Sequence, residues 1–310
     1  MLFMCGVTFL HSSKFKKTLC WLLPVIAVVL HVTTRSGADG RLHITMLSVG
    51  QAESLLVRLP DGTTMLVDGG GYLHDTGRDF GERILAPALF KLGIHHLDYL
   101  VLTHSHPDHI GGMPYLARHL TVGNFLEAAP GGVGEHYDLL RKSLAAGRTP
   151  LRLISSGDSI MLGGGVQLQV LSPRLSPQRS GVSADDMSLN EESLVFRLTY
   201  GMFSMLFTAD AGFPAEDGIM AQTTDIRSTV LKVGHHGSRY SSSERFLRKV
   251  APHVALISAG DGNSFGLPSA ATLNLLNQLG IRTYRTDRDG TIELVSDGTS
   301  WSVNTPYRNN

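Results

Sequence analysis

From Arg41 onward the chain alternates short apolar runs with turn signals, the texture of many brief elements. Leu42 to Val49 and Ser54 to Leu59 are aliphatic enough to predict strands, and Pro60-Asp61-Gly62 predicts a hairpin turn into a returning strand, Thr64 to Val67. Arg83 to Leu92 carries apolar residues at helical spacing and stops at Gly93. Leu97 to Thr103 is a continuous apolar run that predicts a buried strand. A helix is predicted from Pro107 past Gly111-Gly112 toward His119, and another over Tyr137 to Ala146. Val122–Ala128, Leu151–Ser155, Val166–Leu171, Leu194–Tyr200, Phe203–Thr208 and Val230–Val233 predict strands. Helices over Ser242–Val250 and Ala270–Leu279 then alternate with strands over Val254–Ser258, Thr283–Arg285 and Thr291–Val295. Arg174 to Met187, rich in Ser, Pro and Arg, predicts a long surface loop. Many strands with interspersed helices and no fixed-period repeat predict a two-sheet core with helices outside. It forms one domain over residues 39–300, followed by a tail at 301–310.

The N-terminus has a different pattern. Lys14, Lys16 and Lys17 precede an apolar run from Leu19 to Val32 broken only by Pro24 and His31. Ser36 and Ala38 supply a small-x-small pattern, so residues 1–38 read as an export signal, with an uncleaved membrane anchor as the alternative. The run is shorter than the roughly 20 apolar residues that a span requires. Either reading places the body of the chain outside the cytoplasm, secreted, periplasmic or tethered to the membrane. Both cysteines, Cys5 and Cys20, lie in this segment, so a metal site in the body must use His, Asp, Asn or water. The formal net charge is +0, which gives no global field to draw in nucleic acid. The 34 glycines fit many tight turns.

The sharpest chemical signal is Thr103-His104-Ser105-His106-Pro107-Asp108-His109, directly after the predicted strand. In an extended loop His104 and His106 point to one side. Pro107 suits a first helical turn, which swings Asp108 and His109 back toward the same pocket. Three imidazoles and a carboxylate so crowded suit a zinc-type metal, with ligand distances of about 2.0–2.2 Å.

This His-x-His-x-Asp-His cluster resembles the signature of metallo-β-lactamase-fold enzymes. The similarity continues in chain order. Val67-Asp68-Gly69-Gly70 resembles the strand-terminal Asp that braces the metal loop. Phe207-Thr208-Ala209-Asp210-Ala211 resembles the Asp that bridges two metals, and Lys232-Val233-Gly234-His235-His236-Gly237-Ser238 resembles the late metal-binding histidine. More narrowly, Ser48-Val49-Gly50-Gln51, Asn190 through Arg197, the His-His-Gly-Ser segment and Tyr284-Arg285-Thr286-Asp287 resemble the extracytoplasmic domain of ComEC-like DNA-uptake proteins. That similarity covers about residues 41 to 296.

The resemblance implies an α/β four-layer αββα sandwich and two divalent metal ions, zinc by default and manganese where carboxylates and water dominate. His104 and His106 would hold one ion, and Asp108, His109 and His235 the other. Asp210 would bridge them with an attacking hydroxide. Asp108, Asp210 and His236 are then the catalytic candidates, His236 as a supporting or substrate contact beside the ligand His235. Asp68 would orient a ligand, and Asn190 and Ser238 would stand behind the ligands or against the substrate.

Several positions depart from the family. Asn190 stands where most members place a further histidine ligand, which leaves the first metal with fewer protein donors; His136 is an outside candidate for the missing one. Ala52-Glu53 replaces Gly-Asp in the opening motif, and Leu267 and Ser269 replace two late histidines. The leading function is hydrolysis of a phosphodiester, nuclease-like by the ComEC resemblance or aimed at an envelope phosphodiester, as in related phosphocholine esterases. The neutral charge weighs against long DNA. Amide or lactone hydrolysis of the β-lactam type, and a non-catalytic binding module, are the alternatives.

Overall fold

The computed structural model describes residues 38–73, 77–129, 131–174, 186–222 and 225–306. Apart from Ala38, the N-terminal leader predicted over residues 1–38 lies outside the described residues, as does most of the polar loop predicted from Arg174 to Met187. Among the described residues no helix is long and apolar enough to cross a membrane.

The first sheet contains β1 (Leu42–Met46), β2 (Leu55–Arg58), β3 (Thr64–Val67), β4 (His96–Leu102), β5 (Thr121–Ala128) and β6 (Leu151–Ile154). The second contains β7 (Ser159–Met161), β8 (Gln167–Ser172), β9 (Val195–Tyr200), β10 (Phe203–Phe207), β11 (Val230–Lys232), β12 (Val254–Ile257) and β13 (Arg282–Arg285). The chain then returns to the first sheet with β14 (Ile292–Ser296) and β15 (Trp301–Asn304). The strand orders are β15-β14-β1-β2-β3-β4-β5-β6 and β13-β12-β11-β10-β9-β8-β7.

Alternation along the strands sends one set of side chains between the sheets and the other outward. Ile44, Met46, Val57, Met65 and Val101 of the first sheet share one buried cluster with Leu168, Phe196, Met205, Phe207 and Leu256 of the second. Outward residues of the first sheet, such as Leu56, Leu66 and Leu100, pack against Leu85, Leu89, Leu116 and Leu140 of covering helices. Leu206, Leu231 and Ala255 of the second sheet pack in the same way against Ile219, Phe246 and Leu276. Helix, sheet, sheet, helix is the four-layer order.

The helices are α1 (Ala86–Lys91, entered through a π turn at Gly81–Leu85), α2 (Pro107–Ile110), α3 (Met113–His119), α4 (Glu135–Ala146) and α5 (Asp186–Glu191). They continue with α6 (Phe213–Met220), α7 (Glu244–Val250), α8 (Ala270–Gln278) and α9 (Thr286–Asp289). Two sequence expectations are corrected here. The single helix predicted from Pro107 to His119 breaks at Gly111-Gly112, because this turn lies against the glycine loop after β3. Gly112 N donates to Gly70 O at 3.0 Å, and a Cβ on Gly71 would sit 1.8 Å from Pro107 O. The tail predicted at 301–310 begins later, since Trp301–Asn304 pairs antiparallel with β14 and Val303 is buried. The described residues from Asp39 onward form one compact unit.

Candidate functional site

β3 and β4 run parallel, as do β10, β11 and β12. The loops that leave their C-terminal ends carry Asp68, the His104–His109 cluster, Asp210, the His235-His236 pair and Ser258. Strand ends of a parallel sheet are where an α/β fold leaves side chains uncommitted to the core. Backbone hydrogen bonds lace the loops together: Glu53 N to Asp108 O (3.0 Å), Gly69 N to His109 O (2.6 Å) and Leu194 N to Thr103 O (2.9 Å). Asp68, Ala209, His235 and His236 all have φ between 45° and 59°. Such left-handed conformations are costly for residues with a Cβ and concentrate where a fold must aim particular side chains.

Asp68 is completely buried and organises two rings. Its Oδ2 accepts from His109 Nδ1 at 2.7 Å and from Thr103 Oγ1 at 2.7 Å, and its Oδ1 accepts from Thr103 N at 2.9 Å. Because the Thr103 hydroxyl proton goes to Asp68, its oxygen accepts from His104 Nδ1 at 3.1 Å. Both imidazoles therefore carry their proton on Nδ1 and aim an Nε2 lone pair inward. His236 is set the same way, with Nδ1 donating to Ser258 O at 3.0 Å.

The Nε2 atoms of His109 and His236 face Asp210. Its Oδ1 lies 3.4 Å from His109 Nε2, and its Oδ2 lies 3.7 Å from the Nε2 of both His235 and His236. Asp108 Oδ2 lies 3.3 Å from His236 Nε2. His109 Nε2, His236 Nε2 and Asp210 Oδ1 are buried with no hydrogen bond. Donor atoms of Glu53, His109, Asp210 and His236 all fall within 4.8 Å of one another and form a candidate metal-binding group. Beside it, His104 Nε2 and His106 Nδ1 are 3.0 Å apart. Two nitrogens on one tetrahedral ion at about 2.0–2.1 Å would stand roughly 3.3 Å apart, so this pair needs little movement to share a ligand. Buried imidazole nitrogens facing buried carboxylates fit a cation that takes the place of the protons between them.

The electrostatics follow from the same geometry. Burial opposes charge on His109, but Asp210 and Asp68 outweigh it and hold the ring well above the ordinary imidazole range, so its Nε2 sheds a proton when it takes a metal. Burial, aided by the neighbouring His109, holds His104 well below that range. Asp210 resists the upward push of burial through His109 and His236 and stays well below the usual carboxylate range.

Of the adjacent histidines, His236 is the buried one, facing both Asp108 and Asp210, whereas the His235 side chain keeps 37% of its exposure. The sequence reading gave the inner position to His235; the geometry gives it to His236, because the left-handed turn points successive side chains in directions that spacing does not reveal. Asn190 lines the cleft, and its Oδ1 is buried without a hydrogen bond. Ser238 closes the turn instead, its Oγ accepting from Tyr240 N at 3.3 Å. His136 lines a neighbouring cavity with Tyr72, Arg78 and Arg118, apart from the cluster. The replaced histidines divide: Leu267 lines the cleft, while Ser269 caps α8 by accepting from Thr272 N at 3.1 Å.

Sequence reasoning missed Lys232. Its buried ammonium meets Glu53 Oε2, donates to Ala209 O at 2.7 Å and lies 3.8 Å from Asp210 Oδ1. The available signal was a lysine inside the apolar run Val230–Val233, which an ordinary strand would place in solvent.

Residues 47–183 match the Metallo-beta-lactamase superfamily. ComE operon protein 3 of Bacillus subtilis (strain 168) is 35% identical over 264 residues, which cover 81% of this chain and 32% of the relative. The chain carries a metallo-β-lactamase domain. Its fold is that of the superfamily, and the grouped donors of Glu53, His109, Asp210 and His236 are a candidate metal site. Within the superfamily it is ComEC-like. Competence protein ComA of Neisseria gonorrhoeae is 27% identical over 274 residues, covering 88% of this chain and 35% of that protein. The chain thus spans about a third of the length of these curated relatives. A mutant of the beta-hydroxylase CmlA from Streptomyces venezuelae shares the fold with a TM-score of 0.50 at 16% identity, covering 79% of this chain and 52% of that one.

Proposed function

We propose that this metallo-β-lactamase domain hydrolyses a phosphodiester with two divalent ions bound in the cleft. The observation that carries this reading is the convergence of the His109 and His236 Nε2 atoms on Asp108 and Asp210, with the His104–His106 pair beside them. In this reading His104 and His106 would hold one ion, Asp108, His109 and His236 would hold the other, Asp210 would be a further carboxylate donor, and His235 sits at the rim. Bound ions would supply Lewis acidity toward a phosphoryl oxygen and lower the pKa of an attacking water. The chain's own contribution is to fix the rings through Asp68 and Ser258, to leave Asn190 as a neutral donor on the open side, and to hold Asp210 ionised.

The similarity to competence proteins supports a phosphodiester over an amide or lactone. Among the described residues no Lys or Arg lines the cleft, so a short phosphodiester fits better than a long nucleic-acid strand, which is tracked by cations. Zinc is the expected metal for this donor set, with manganese the alternative. The lysine-flanked apolar run at residues 14–32 supports an extracytoplasmic location.

The test is metal content together with turnover of bis-p-nitrophenyl phosphate by the full chain. Two ions per chain and metal-dependent turnover are expected, and the combined substitution His106→Ala with Asp210→Ala should abolish turnover while retaining the circular dichroism of the fold. Metal without turnover would point to acyl substrates. Absence of metal would leave a binding module, and full activity in the double variant would mean the site is elsewhere.

A further inference from the structure

Above the polar floor the cleft has a different character. Leu73, Phe265 and Leu267 line it with Gln51 and Asn190, in a cavity of about 570 Å³. Phe265 is 54% exposed, a large ring held out toward solvent at the mouth of a charged site. Exposed apolar residues are ordinary when scattered, but a cluster facing a binding cleft marks a contact surface.

The loop that carries this ring is braced. The Asn263 amide donates to Gly260 O at 2.9 Å and to Leu267 O at 2.5 Å, and its oxygen accepts from Phe265 N at 3.2 Å and Leu267 N at 3.1 Å. One side chain thus fixes the backbone of both apolar residues. The loop begins at Ser258, whose carbonyl orients His236, and Gly260 N donates to Gln51 Oε1 at 3.0 Å. It ends where Ser269 N donates to Gly237 O at 2.9 Å, and there Gly237, at φ 82°, packs so tightly that a Cβ would meet Pro268 Cβ at 2.5 Å. The apolar residues and the inner histidine share one scaffold, so the distance between them is set before anything binds.

We propose that Leu73, Phe265 and Leu267 form a wall that seats a flat aromatic group carried by the substrate beside the scissile bond, making Phe265 the specificity-determining residue. This rests on the phosphodiesterase reading for the bond that is cut, but not for the group that is seated. The lining selects among classes. A quaternary ammonium group is recognised by several rings arranged as a cage, and among the described residues this cleft offers only the Phe265 ring. A long acyl chain needs an extended apolar tunnel, and three side chains make only a short wall. A polyanion needs lysines or arginines, and among the described residues the lining has none. One ring face with two leucines suits one planar ring, whether a nucleobase or another aryl group.

The test uses the metal-loaded full chain and two phosphonates that cannot be hydrolysed, phenylphosphonate and methylphosphonate, with affinities measured by isothermal titration calorimetry. Phenylphosphonate should bind about tenfold more tightly, a ratio within the range of a single ring stack. Phe265→Ala should bring the two within twofold of each other, and Phe265→Tyr should restore the preference. Phe90→Ala, which removes an exposed ring on α1, should leave it unchanged. Equal affinities in the unaltered chain, a preference that survives Phe265→Ala, or binding of neither phosphonate would overturn the wall. A phenyl preference that is lost in Phe265→Ala, in a protein that turns over no diester, would overturn the hydrolysis reading and leave the wall standing.

Discussion

Asp68 lies behind the ligands, yet it decides which nitrogen of His109 faces inward. As a carboxylate it can only accept, so the His109 proton must sit on Nδ1, 2.7 Å away. Asp68→Asn keeps the shape but brings an NH₂ toward either that nitrogen or the Thr103 donors. If it faces the ring, His109 must move its proton to Nε2, the atom beside Asp210. The expected result is metal affinity about 10–100-fold weaker, the usual cost of losing such an orienting partner. A chelator competition would measure it, with secondary structure retained. Unchanged affinity would show that the tautomer of His109 is fixed by something other than Asp68.

At the scale of elements, α6 and α7 are joined by one buried carboxylate. Glu216, in the first turn of α6, accepts from Ser242 N and from Ser243 N (3.0 Å), and Ser243 in turn caps α7 by accepting from Phe246 N at 3.3 Å. Burial, against the pull of those hydrogen bonds, raises Glu216 from 4.5 to about 7. Between these values the folded state holds a proton that the unfolded chain has released. Stability is therefore fullest below about pH 4.5 for this group and is lost as pH rises through about 7, by up to on the order of 3 kcal/mol. Glu216→Gln removes this proton linkage. Urea unfolding at pH 5 and pH 8 should show the variant gaining on the parent chain at the higher pH. A constant difference between the two would mean that Glu216 is ionised throughout.

For the whole molecule, the sheet–sheet interface fixes the two halves of the site relative to each other. Asp68 and His104–His109 belong to the first sheet, and Asp210 and His236 to the second. Phe196 and Phe207 stack within the shared core with centroids 4.6 Å apart, and Phe207 ends β10 three residues before Asp210. Phe207→Ala should cost about 3–5 kcal/mol through the cavity it leaves. It should also weaken metal binding at temperatures where the fold persists, because the Asp210 loop loses its support. Thermal unfolding and metal titration of the same variant check both. Lost stability with unaltered affinity would show that the loop is held by Lys232 and its neighbours alone.

Much of this was legible in the linear pattern. Alternation and turn residues place most strands within a residue or two, and His104-Ser105-His106-Pro107-Asp108-His109 declares its chemistry because four donors after a buried strand have few other uses. Local chain geometry dictates such features. It does not dictate what distant segments do to one another. The break at Gly111-Gly112 exists because the loop after β3 presses on it, and β15 exists because β14 offers an edge. The inner place of His236 follows from a left-handed turn and from Ser258, just past β12. Lys232 and Glu53 find each other across 179 positions only once the sheets face, since their pairing depends on exclusion from water. Sequence by itself determined the elements and the donor types, which depend on neighbours along the chain. Tertiary structure alone decided which donors point inward, what neutralises them and which apolar side chains overlook them, because direction and burial are set by packing between segments.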